Sequence, residues 1–326
     1  MTVIKALFWN KEQARLRAGF RIILQLTTFF IIMKSLKLLI GVPGEITSYT
    51  PLWIILAMAG IRLFRVLISV WLAGRFLDLR SFADFGFHFK KDWWIDFGFG
   101  AGLGILLMGS IFLIELAAGW VTISHTFHTA NPGQLFISPF FVFLILFMCV
   151  GFSEELFYRG YHLTNLAEGL NFKMFGPKRA IIFAVILSSI LFGIFHIGSP
   201  NAGVASTLNI MLWGILSGGA YVLTGSLAIP IGIHITWNFF QGNVFGFPVS
   251  GITFPADTVT FISIDQVGPR LWTGGAFGPE AGLLGFFAII TGILLIVGWI
   301  RFRQGSVKLQ VQLAEPPLQV SKKELS

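Results

Sequence analysis

Long apolar runs dominate the pattern of hydrophobic and polar positions along this chain. Eight of them reach 18 residues or more, which is enough for a helix to cross about 30 Å of hydrocarbon. They lack the strict alternation over about ten residues that a membrane β-barrel needs. The pattern therefore predicts an all-α, polytopic integral membrane protein with about eight transmembrane helices. The predicted spans are residues 20–39, 51–72, 97–121, 135–152, 180–197, 205–222, 227–247 and 281–300.

The composition supports burial in a membrane. Hydrophobic residues make up 55% of the 326 positions and charged residues 12%, whereas a soluble domain carries about 25% charged residues. Two arginines, Arg62 and Arg65, nevertheless fall inside the second apolar run. Either this helix tilts so that the two cations reach the membrane interface, or it lies partly in the interface.

Basic residues are concentrated at both chain ends and in every second connection between the spans. The positive-inside rule then predicts a multi-pass protein of the cell membrane with both termini in the cytoplasm. These clusters account for the net charge of +8 and fit contacts with anionic lipid, so the charge implies no nucleic-acid partner. Cys149 is the only cysteine, which excludes an internal disulfide and a cysteine-rich metal site.

Two adjacent carboxylates, Glu154 and Glu155, stand at the end of the fourth apolar run. If the helix continues to about Glu168, Glu155 and Arg159 are one turn apart and can form an ion pair. Glu154 points about 100° away from Glu155 and is not directed at Arg159. This spacing predicts a structural ion pair and, separately, a carboxylate that is available for chemistry.

Two further polar motifs lie in later spans. The fifth run ends with Phe192 and His196, and the seventh contains His234 and Asn238, which are four residues apart and project from one helical face. Helical rise puts Glu154 and His196 at similar depths, roughly 21 and 24 Å from the predicted cytoplasmic side, and His234 at only roughly 12 Å. We therefore expect Glu154 and His196 to be level, and His234 to join them only if the site slants or its helix is distorted at Pro230.

These residues allow two versions of one reaction. Glu154 could take a proton from water that His196 orients, while His234 and Asn238 donate hydrogen bonds to the oxyanion formed at a peptide carbonyl. Alternatively, Glu154, His196 and His234 could bind a divalent metal such as zinc, with water in the open position. The sequence does not choose between a metal and no cofactor.

The three motifs together resemble the CPBP family of intramembrane proteases, also called the CAAX-protease and bacteriocin-processing family. They are Glu-Glu-x-x-x-Arg, Phe-x-x-x-His and His-x-x-x-Asn in that order on membrane helices, with Phe192, Glu155 and Arg159 in supporting positions. The resemblance implies an eight-helix core enclosing an intramembrane cavity. It also implies hydrolysis of a peptide bond in a membrane-associated protein or peptide, as in CAAX-type or bacteriocin-type processing. Family enzymes are described both as metalloproteases and as metal-free glutamate enzymes.

The resemblance covers about a third of the chain and divides it into four parts. The catalytic core is predicted at residues 135–246, after an N-terminal interfacial segment and three spans in residues 1–134. Residues 247–303 hold an outer loop and the last span, and residues 304–326 are predicted to be a disordered cytoplasmic tail. Two other functions remain open: a non-catalytic scaffold or immunity factor, and a transporter that uses the same residues as a proton relay.

Overall fold

The computed structural model describes residues 7–11, 13–40, 50–129, 133, 135–252 and 259–317. Within these ranges, seven helices are long and apolar enough to cross a membrane, which confirms the polytopic α-helical class. They correspond to seven of the eight predicted runs. These helical spans are Ala18–Leu36, Leu52–Asp78, Lys91–Ala117, Ile137–Leu170, Pro177–Phe195, Val204–Thr224 and Leu283–Gln304.

The remaining predicted run, residues 227–247, forms a shorter helix in the interior of the protein. The helices are α1 (Ala18–Ile40), α2 (Leu52–Ala73), α3 (Lys91–Ala117), α4 (Ile137–Glu154), α5 (Thr164–Leu170), α6 (Pro177–Phe195), α7 (Val204–Thr224), α8 (Ala228–Phe239), α9 (Arg270–Thr273) and α10 (Leu283–Gln304). Wider π-helical turns extend three of them, over Gly74–Asp78, Glu155–Leu163 and Phe240–Val244. The fourth span therefore runs without a break to Leu170, as predicted.

Two small antiparallel sheets lie at opposite faces of the helical bundle. Strands β1 (Trp9–Asn10) and β2 (Arg15–Leu16) precede α1, and β3 (Val121–Thr129) pairs with β4 (Val259–Gln266). Because β3 follows α3 and β4 precedes α10, the ends of these helices lie on one face, here named the sheet face. The opposite face, where α1 begins and α2 and α5 end, is here named the terminal face.

Glycines bring α8 unusually close to α3. A Cβ added at Gly232 would lie 2.4 Å from the Phe97 carbonyl oxygen, and one at Gly104 would lie 2.8 Å from that of Ile233. Such distances require glycine, so the two backbones can pack in direct contact. The short helix α8 is thereby fixed in the centre of the bundle.

A buried ionic cluster closes the terminal face. Glu168 accepts from Arg15 at 2.5 Å, from Arg21 at 2.6 Å and from Arg80 at 3.1 Å, and Arg21 also pairs with Asp78 at 2.5 Å. These contacts join the segment before α1 to the ends of α2 and α5. Buried arginines are tolerated here because each has a carboxylate partner.

The chain after α10 packs against this face, which differs from the disorder that the sequence predicts for residues 304–326. The Gln310 N–H donates to the Val222 carbonyl at 2.8 Å, and Asn171 donates to the Ala314 carbonyl at 2.9 Å. The side chains of Leu313 and Ala314 are buried. A few apolar residues are enough to pack this polar, proline-containing segment against the terminal face. Residues 318–326 lie outside the described residues.

Candidate functional site

A cavity of about 1040 Å³ lies among the helices near the middle of the bundle. Glu154, His196, His234 and Asn238 all line it, although they come from α4, the end of α6 and α8. The four residues that the sequence singled out for chemistry are thus brought to one place.

Glu154 ends α4 with its carboxylate at the cavity wall. Its Oε1 atom forms an ion pair with Nη2 of Arg62 on α2, and the neighbouring Ser153 hydroxyl lies 3.4 Å from Arg62 Nε. The Glu154 side chain is 14% exposed, so the carboxylate remains accessible from the cavity. Sequence reasoning treated Arg62 as a cation that disturbs its span, whereas it is the counter-ion of the candidate base.

Glu155, immediately after Glu154, is fully buried and points elsewhere. Its Oε1 lies 3.3 Å from Arg159 Nη1, so the predicted ion pair one turn apart is present. The same oxygen lies 2.6 Å from Nδ1 of His234. Glu155 therefore orients a second candidate residue, a contact that spacing along one helix could not indicate.

His234 reaches the level of Glu154 because α8 starts inside the protein. Leu227 is fully buried, and its N–H donates to the Gly86 carbonyl at 3.2 Å. Farther along, a Cβ at Gly151 would lie 2.8 Å from Cγ1 of Ile235, so α4 and α8 approach closely beside His234. The shallow depth expected for His234 was counted from the membrane surface, whereas α8 begins within the bundle.

The two ring nitrogens of His234 face different carboxylates. Nδ1 contacts Glu155, while Nε2 lies 3.8 Å from Oε2 of Glu154. Asn238, one turn later, is also buried at the cavity. This helical face consequently presents two possible hydrogen-bond donors next to the Glu154 carboxylate.

His196 caps the C-terminal end of α6. Its Nδ1 donates to the Phe192 carbonyl at 2.7 Å, which leaves Nε2 without a partner in that turn. The Phe192 ring lies under the Arg159 guanidinium, 4.2 Å from its centroid. Phe192 thus links the Glu155–Arg159 pair to the helix end that carries His196.

A second buried carboxyl group, Glu280, lines the cavity towards the sheet face. Its Oε2 accepts from the Ser250 N–H at 2.6 Å, and its Oε1 contacts the Ser250 hydroxyl at 3.2 Å. Burial raises the pKa of Glu280 to about 7, although the bonds from Ser250 and Gln241 oppose this shift. No sequence pattern indicates a role for Glu280, because it belongs to no motif and lies in a long connection before the last span.

The candidate metal ligands do not form a metal-binding group. Within the described ranges, no cluster of three or more His, Cys, Asp or Glu side chains is arranged to hold an ion. One oxygen of Glu154 is paired with the Arg62 cation. A guanidinium on the carboxylate competes with a metal cation, so these donors do not fit zinc as they stand.

Comparison with known proteins returned one family. A family model described as Rce1-like, Type II CAAX prenyl endopeptidase Rce1-like, matches residues 136–240. That segment is about a third of the chain and includes all three sequence motifs. No curated protein and no solved structure matches the chain.

Proposed function

We propose that the chain is an endopeptidase of the CPBP, or CAAX protease, family, which the matched family model supports, and that it hydrolyses a peptide bond inside its intramembrane cavity. The observation that supports this most is the convergence of Glu154, His196, His234 and Asn238 on that one cavity. Charged and imidazole side chains at membrane depth are costly unless they serve a function. The apolar remainder of the wall, contributed in part by α1 and α2, suits a membrane-associated protein or peptide.

In this proposal Glu154 is the general base. Arg62 occupies Oε1, so Oε2 is the oxygen that can accept a proton from water. The ion pair stabilises a carboxylate that would otherwise be isolated in a medium of low dielectric constant. As the water oxygen attacks the substrate carbonyl carbon, its proton passes to Glu154.

His196 would orient the attacking water. Because its Nδ1–H is directed at the Phe192 carbonyl, the neutral ring offers the lone pair of Nε2 as an acceptor. His196 is also close enough to Glu154 to interact with it electrostatically. Water held between these two acceptors would have one lone pair directed away from them, towards a bound peptide.

His234 and Asn238 would stabilise the oxyanion. With Nδ1–H directed at Glu155, His234 can donate from Nε2 only when the ring carries both protons. In that form the ring is a strong donor to developing negative charge. When the tetrahedral intermediate collapses, the C–N bond breaks and the proton held by Glu154 passes to the leaving amine.

The metal-free version is the one we propose, since the candidate ligands do not fit an ion. We further propose a substrate of the CAAX type, as the description of the matched family suggests. The basic residues near the terminal face favour placing both termini in the cytoplasm of a cell-membrane protein.

Purified protein in detergent, given a library of membrane-associated peptides, tests the proposal. We expect cleavage by the unaltered chain and at least a 100-fold loss of kcat in Glu154→Ala and in His196→Ala, since general acid–base groups contribute about 10²–10⁴-fold. His88→Ala is a matched control, because His88 is exposed and outside the cavity. Undiminished cleavage in both variants would refute the mechanism, and cleavage of no peptide would favour a scaffold or a transporter.

A further inference from the structure

Arg65 lines the same cavity, and no acidic side chain in the described ranges pairs with it. It lies on the second span, midway between Leu52 and Asp78, so it sits near the centre of the membrane-crossing segment. Its Nε atom is buried, and none of the described residues offers it a hydrogen bond. No carboxylate in the described part of the chain forms an ion pair with it.

The neighbouring arginine shows the contrast. Arg62, one helical turn from Arg65, pairs with Glu154, whereas the Arg65 guanidinium lies over the Phe29 ring, 5.2 Å from its centroid. Lys34 on α1 lines the cavity as well. This part of the wall therefore has an excess of positive charge and a ring that holds Arg65 in place.

An unpaired guanidinium at this depth calls for an anion. Charged side chains inside membrane spans pair with one another or mark a binding pathway, because burying them without compensation is expensive. Arginine presents a planar array of donors that matches a carboxylate or a phosphate. Lipid phosphates lie at the surfaces of the hydrocarbon layer, whereas Arg65 lies midway between the ends of its span.

We propose that Arg65 is an anion-binding subsite that takes the free C-terminal carboxylate of the substrate. This rests on the proposed peptidase function and makes it more specific. A chain terminus carries a carboxylate whatever its side chains are, so an apolar peptide can bring this charge into an apolar cavity. An internal segment made only of apolar residues has no such charge.

The spacing of the two arginines then limits where cleavage occurs. Three residues separate Arg65 from Arg62, which is about 4.5 Å along the helix axis. An extended peptide advances about 3.3 Å per residue. A carboxylate bound at Arg65 therefore places a peptide bond only a few residues from the terminus beside Glu154, and the C-terminal product is short.

Product binding tests the subsite without requiring turnover. The full chain, delipidated in maltoside detergent, is titrated with an apolar tripeptide that has a free carboxylate and with the same tripeptide as its C-terminal amide. Trp213 and Trp237 line the cavity, so their fluorescence reports binding. We expect the acid to bind about 10- to 100-fold more tightly than the amide, the range for a hydrogen bond to a charged group.

The variants assign the preference to one side chain. Arg65→Gln should bind acid and amide equally, at the affinity of the amide, and Arg65→Lys should keep part of the preference. Arg75→Gln is the matched control, since Arg75 is exposed at the end of the same span and does not line the cavity; it should keep the full preference.

Three outcomes would overturn the subsite. They are equal binding of acid and amide by the unaltered chain, failure of either peptide to bind at millimolar concentration, and a preference that survives in Arg65→Gln. A parallel titration with phosphatidylglycerol tests the other source of an anion, a lipid phosphate. If Arg65→Gln no longer binds this lipid, and the unaltered chain binds acid and amide equally, the site is assigned to lipid phosphate. If the acid preference depends on Arg65 but no peptide is cleaved, the subsite stands and the peptidase proposal fails.

Discussion

The Nδ1 atom of His234 lies 2.6 Å from Oε1 of Glu155, and this contact joins α8 to the π-helical turns that follow α4. The same carboxylate oxygen is 3.3 Å from Arg159. One fully buried side chain thus serves as ion-pair partner and as orienting group for a candidate oxyanion donor. π-Helical turns are often found at functional sites, because they re-aim the side chains that they carry.

Glu155→Gln should lower kcat about 100-fold while KM changes little. Glutamine keeps a hydrogen-bond acceptor but loses the negative charge beside His234 Nδ1, so the bond that orients the candidate oxyanion donor is weakened. Steady-state kinetics and ¹⁵N NMR of the His234 ring check this together. Glu115→Gln is a suitable control, since Glu115 is also buried in a span but does not line the cavity. Unchanged kcat in Glu155→Gln would remove the orienting role.

Arg62→Gln should lower kcat about tenfold or more, because the hydrogen bond to the Glu154 carboxylate is charge-assisted. Arg62→Lys keeps the positive charge without the planar donors, and should recover part of the loss. Arg75→Gln on the same span should leave the rate unchanged. If Arg62→Gln were as active as the unaltered chain, Arg62 would be a snorkelling cation, which is one of the two interpretations that the sequence allowed.

The features that depend on the spacing of residues along one helix could be predicted from the sequence. Run length predicted the spans, and the four-residue spacing of Glu155 and Arg159 predicted their ion pair, which is present. The sequence could not identify Arg62 as the partner of Glu154. The two residues are 92 positions apart, and no local pattern connects a distant cation with its carboxylate. Glu280 was missed for the same reason.

Depth along a helix is a second limit of sequence reasoning. Counting residues from a predicted membrane surface placed His234 too shallow, because the count assumed that α8 begins at that surface. Leu227 is instead buried against Gly86, so the starting point itself lies inside the bundle. Polar composition also misjudged the segment after α10, where the contacts of Gln310 and Ala314 decide its order.

Glu280 should make stability depend on pH. Its pKa in the folded protein is about 7, above the ordinary value of 4.5, so the native state binds this proton more tightly than the unfolded chain does. The stabilising contribution is therefore complete below about pH 4.5 and is lost as the pH rises through 7. We expect the Tm of the unaltered chain to fall between pH 5 and 8, and to fall less in Glu280→Gln. Equal pH profiles for the two proteins would contradict this assignment.

Removal of the C-terminal segment should destabilise the terminal face. A chain ending at Gly305 loses the Gln310–Val222 hydrogen bond, the burial of Leu313 and the bond from Arg80 to the Glu315 carbonyl. We expect a lower Tm in detergent. A chain that ends at Pro317 keeps these contacts and is the control, so an equal loss of Tm in both truncations would show that the docked segment is not the cause.

Chelation should leave activity intact. The three candidate ligands Glu154, His196 and His234 do not form a metal-binding group, and Arg62 already compensates the charge of Glu154. We therefore expect unchanged kcat after dialysis against EDTA and 1,10-phenanthroline, and no stimulation when zinc is added back. A known zinc peptidase treated in parallel confirms that the chelators work. Because Arg62→Gln removes the competing cation, this variant should bind zinc more tightly than the unaltered chain in the same assay. Inactivation by chelators with recovery on adding zinc would replace the glutamate mechanism with a metal-dependent one.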